Sequence, residues 1–69
     1  MNSALRAVLP NMIIELEKII NAIEILGMKI DVQKVKDTLN DLPQDDIEKV
    51  RILEPLIVEL RHEYDNFIL

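Results

Sequence analysis

His62, the single histidine, follows Glu59 by three positions, and a Glu-x-x-His sequence on a helix sets a carboxylate and an imidazole one turn apart. Ferritin-like di-iron bundles use that spacing with a further Glu from each facing helix. Glu15 is the residue that could supply it in a dimer. The angular position opposes this reading. His62 falls within ~20° of Pro55 and Glu59 within ~40°, on the side opposite the apolar stripe of their helix, whereas di-metal ligands point inward. Glu59 and His62 are therefore read as solvated side chains, the histidine near a helix C-terminus where a cation is favoured. A metal-binding helical bundle using these two residues is the alternative.

Nucleophilic catalysis needs an activated hydroxyl, thiol or amine beside a base that a third group holds in place. The hydroxyls are Ser3, Thr38 and Tyr64, there is no cysteine, and no glycine-rich loop could cradle a phosphate. Ser3 reads as a helix cap, Thr38 as the polar side of a short helix and Tyr64 as part of an apolar stripe. No enzyme, catalytic residue or cofactor is expected. Asp37, Asp41, Asp45 and Glu48 resemble the acidic positions of a calcium loop, but Leu39 and Leu42 stand where a ligand and the turn glycine are required. They are read as helix-end and turn acids.

A helix-turn-helix would present Lys49 and Arg51 to DNA, yet Asp45, Asp46, Glu48 and Glu54 surround them. The net charge is −5, and residues 46–69 carry most of it. Such a surface repels phosphate and anionic lipid, so nucleic acid is disfavoured as a partner. A transcription-associated regulator, binding DNA or a DNA-bound protein, remains an alternative function. Ala7–Ile14 is far shorter than the ~18 apolar residues needed to span a bilayer, and it imitates a secretory signal poorly. The expected location is cytoplasmic.

The elements that position these residues are helices. Leu5, Leu9, Met12, Leu16, Ile19, Ile23 and Leu26 alternate spacings of four and three, which holds them on one helical face. Ile13 and Ile20 widen the stripe on one flank, Val8 and Ala22 on the other, beyond the narrow seam of a two-stranded coiled coil. Asn2 or Ser3 can cap this helix and Gly27 can end it, while Pro10 either kinks it or marks its start. Asp31 is an N-cap for a second helix with Val32, Val35, Leu39 and Leu42 as its stripe, stopped by Pro43. Asp45 and Glu48 form a capping box for a third, along which Val50, Leu53, Ile57, Leu60, Tyr64 and Phe67 repeat the four-three spacing. Pro55 lies opposite that stripe and either bends the helix or breaks it near Glu54. The expected helices are 3–26, 32–42 and 46–68.

With 69 residues and no cysteine, the chain can hold one small domain, residues 1–69, and no disulfide. For its mass of 8.0 kDa, surface scaling gives roughly 4,450 Å² for the folded monomer. Apolar burial then contributes about 105 kcal/mol against conformational entropy of nearly the same size, so a lone monomer is marginal. Meanwhile Ile52, Pro55 and Val58 lie on or beside the outer face of the third helix, and Ile14 and Ile25 opposite the stripe of the first. The resulting reading is all-α: a small bundle of two long helices and one short helix, completed by homodimerisation. Leu16, Ile19, Ile23, Leu53, Ile57, Leu60 and Tyr64 form the core and oligomer interface, and Ile52, Pro55 and Val58 a surface for a protein partner. The expected role is a non-enzymatic interaction or oligomerisation module, a small regulatory protein.

Overall fold

A computed structural model describes residues 3–69, except for the side chains of Ser3 and Leu5. The expected cap at Asn2 or Ser3 and the stripe position Leu5 thus lie outside the described residues. The chain forms helices α1 (Ser3–Leu26), α2 (Val32–Asn40) and α3 (Asp46–Ile68), and no strand occurs among the described residues. Pro10 and Pro55 both sit inside continuous helices. A proline removes one backbone donor and crowds the preceding turn, a local cost that these long, well-packed helices absorb.

Each junction follows from its residues. At the end of α1, Gly27 adopts φ 68°, the left-handed conformation that lets a helix terminate. The Met28 amide donates to the Ile23 carbonyl at 3.1 Å and the Gly27 amide to the Glu24 carbonyl at 3.2 Å. These two bonds make a Schellman motif, and Met28 packs back against the core, a contact that often accompanies that motif. Asp31 Oδ1 accepts from the Lys34 amide at 3.1 Å, capping α2. Asp45, in extended backbone at φ −72° and ψ 127°, caps α3 through Oδ2, which accepts from the Glu48 amide at 3.1 Å. Glu48 directs its carboxylate to Arg51 at 3.4 Å, so the cap stands on its Asp45 half. Helix α2 ends at Asn40, two residues before the expected boundary. Leu42 precedes Pro43 and is excluded from helical backbone by the proline ring, so the last helical bond is the one from the Asp41 amide to Asp37.

The two long helices run in the same direction. Arg6 Nε lies 3.9 Å from Asp46 Oδ2, joining their N-terminal ends, and Glu15 pairs with Arg61 further along. At the far end Gly27 and Met28 border the same depression as Glu63, Asn66 and Phe67. Parallel neighbours need a connection that travels back about one helix length, ~35 Å, and residues 27–45 provide it with α2 in the middle. Helix α2 is tied to α1 by Lys36 and Glu24 at 3.3 Å.

The core is entirely aliphatic. Leu16, Ile23 and Leu53 have 2% exposure or less, and Leu9, Ile20, Val35, Ile57 and Leu60 complete the buried set. Ile19, expected at the buried centre, is only half-buried, and Ile20 takes its place. The cause is the position of α2: Leu39 and Leu42 gather beside Ile13 and Ile20, so the covered arc of α1 is rotated towards that flank. Ile19 faces the uncovered flank.

The folded chain exposes 5049 Å², against roughly 4,450 Å² for a compact monomer of this mass. Its radius of gyration is 12.6 Å, where a compact chain of this length has about 11 Å. The bundle is elongated and leaves surplus surface in water. A side chain added at Gly27 would meet nothing within 4 Å, so its cost is backbone strain alone. Gly27→Ala is expected to destabilise the fold by about 1 kcal/mol, read as a lower urea midpoint with an unchanged m-value.

Candidate functional site

Glu59 and His62 are both exposed on α3. His62 Nε2 lies 3.2 Å from Asn66 Nδ2, one turn on, which is a bond along the surface of a single helix. Glu15, the carboxylate that a di-metal site would have to recruit, is instead paired with Arg61. Among the described residues no three of His, Asp and Glu gather closely enough to hold a metal ion.

The calcium-like acids also have local partners. Asp37 Oδ1 accepts from Gln33 Nε2 at 3.0 Å, Asp41 ends α2 and Asp45 begins α3. The cations that a DNA contact would use are engaged in the same way. Lys49 lies 3.7 Å from Asp46, Arg51 3.4 Å from Glu48 and Lys36 3.3 Å from Glu24. These are half-exposed pairs of small energetic value, but each one neutralises a positive charge at its own position. The Thr38 hydroxyl donates to the Lys34 carbonyl at 3.0 Å, a bond within its own helix.

The remaining feature is apolar. Of the residues expected in the centre, Leu16, Ile23, Leu53, Ile57 and Leu60 are buried, while Ile19 and Tyr64 are half-buried. Both half-buried residues border one open groove between α1 and α3, with Ile14, Ala22 and Arg61, enclosing about 520 Å³. Ile14 is 49% exposed there, and the Glu15–Arg61 pair bridges the two helices. On the surface expected to receive a partner, Ile52 is half-buried, Pro55 exposed and Val58 63% exposed. The sequence reading missed the Glu15–Arg61 pair, which links positions far apart in the chain. It also grouped Ile19 with the buried core, although its position on the flank opposite Ile20 was visible in the helical spacing.

No family model, curated protein or solved structure matches this chain.

The contrast between the two faces of α3 can be measured. Ile57→Ala removes a buried side chain and is expected to cost about 2–5 kcal/mol. His62→Ala, on the exposed side, should change stability by less than about 0.5 kcal/mol. Urea denaturation of the two variants checks both figures, and a His62 effect larger than that of Ile57 would reverse the assignment of the faces.

Proposed function

We propose that this chain is a non-enzymatic interaction module whose first partner is itself, forming a homodimer, and which presents the assembled bundle to a further protein. The observation that carries this reading is the surplus surface. The monomer exposes 5049 Å² where roughly 4,450 Å² is expected, and half-exposed aliphatic side chains line the open groove between its long helices. Association removes that surface from water, and in a small aliphatic fold whose monomer balance is near zero the added burial is a large share of the total stability.

The chemistry of the surface agrees. Lys36, Lys49, Arg51 and Arg61 each face a carboxylate on the same chain, and the net charge is −5, so binding to phosphate would have to displace existing pairs against the overall field. Among the described residues no helix is long and apolar enough to cross a membrane. A role as an assembly or adaptor element uses what the chain offers, which is helix faces.

The test is the mass in solution. Light scattering on the eluted chain at tens of micromolar is expected to give twice the chain mass of 8.0 kDa. The unfolding midpoint should rise with protein concentration, because dissociation and unfolding are then linked. A mass of one chain with a concentration-independent midpoint would overturn the reading.

A further inference from the structure

We propose that α2 is a flap that opens as a unit of its own, uncovering the flank of α1 beneath it while α1 and α3 stay paired. This goes beyond the self-association proposed above. Little holds α2 in place. Among the described residues it comes close to α1 alone of the two long helices, and Val35 is its one buried side chain. Leu39 is half-buried beside Ile13 and Ile20, and the pair of Lys36 with Glu24 at 3.3 Å stands half in water on both sides. A pair so exposed stabilises weakly. The α1–α3 seam, by contrast, gathers Leu16, Ile23, Leu53, Ile57 and Leu60 into one buried cluster and adds the Arg6–Asp46 and Glu15–Arg61 pairs.

Without its docking site this helix has no stability of its own. At 9 residues, α2 is shorter than the ~12–15 at which an isolated helix is already marginal in water. Val32, Val35, Asp37, Thr38 and Asn40 all have modest helix propensity, so the segment is helical because it is docked. The long helices do not need it folded in order to stay parallel. Fully extended, residues 27–45 reach roughly 60 Å at ~3.3 Å per residue, and the return path they must cover is ~35 Å. A melted connection therefore spans the pair as well as a folded one does. Opening admits water to Ile13 and to Ile20, which is 5% exposed with α2 in place. The outcome is an apolar strip on α1 that is covered in the closed state and bare in the open one.

Native-state hydrogen exchange of the full chain across a urea series reads the two openings separately. The amides of residues 36–41 are expected to be at least about tenfold less protected than the slowest amides of α1 and α3. Their exchange should also respond less to urea, since a partial opening exposes less surface. Two exposed caps supply variants that leave the core in place. Asp31 accepts from the Lys34 amide at the start of α2, and Asp45 from the Glu48 amide at the start of α3. Asp31→Ala weakens the closed state relative to both the open and the unfolded chain, so α2 and the slowest amides should both exchange about fivefold faster, the equivalent of about 1 kcal/mol for a lost cap. Asp45→Ala weakens closed and open states alike, because α3 is helical in both. The slowest amides should again exchange about fivefold faster, while those of α2 keep their wild-type rate. Wild-type protection and urea response in α2 equal to those of the long helices, or an Asp45→Ala chain in which α2 quickens as much as the slowest amides, would overturn the flap and make the three helices one cooperative unit.

Discussion

Burial of Leu16 and Ile23 of α1 and Leu53 of α3 in one aliphatic cluster, with essentially no exposure at any of the three, is the constraint on which the rest of the structure depends. The chain has no disulfide and only two aromatic residues, so cohesion comes from branched aliphatic side chains and from how much of their surface is removed from water. Those side chains occupy one stripe on each long helix, and a stripe is satisfied only when another stripe lies along it. The two helices therefore pair over their length. The short α2, contributing Val35 as its one buried residue, closes a single flank of the seam.

Polar groups refine this arrangement without driving it. Asp31 and Asp45 satisfy amides that would otherwise lack partners at the starts of α2 and α3, and the Schellman motif at Gly27 does the same for carbonyls at the end of α1. Arg6 with Asp46 and Glu15 with Arg61 tie α1 to α3 at two levels, consistent with one register for the parallel pair. Each such bridge at the surface stabilises weakly. Each also sets a carboxylate beside a cation of the same chain, which lowers the positive potential at that point. The same asymmetry exposes Ile14 and leaves Ile19 half-buried at the wall of the α1–α3 groove.

Helix type, helix number and nearly every boundary were legible in the sequence, because each depends on residues within a few positions of one another. The alternation of four and three fixes the face, Asp45 fixes the start of α3, and Gly27 fixes the end of α1. The absence of cysteine and of a glycine-rich loop likewise narrows the chemistry open to the chain. Glu59 and His62 were legible too, since Pro55 marks the side of the helix on which they stand. Val35 could be placed on a stripe, though its depth of burial could not.

The direction of the long helices, the flank that α2 covers and the pairing of Glu15 with Arg61 were decided only by tertiary structure. Each of these joins residues distant in the chain, and a stripe of leucine and isoleucine fits a parallel or an antiparallel neighbour equally well. Hydrophobic burial is non-directional, so periodicity states which face must be covered without stating by what. The choice between Ile19 and Ile20 shows this at one position. Both lie within the apolar arc of α1, and only the placement of Leu39 and Leu42 beside Ile20 makes one of them core and leaves the other at the wall of an open groove.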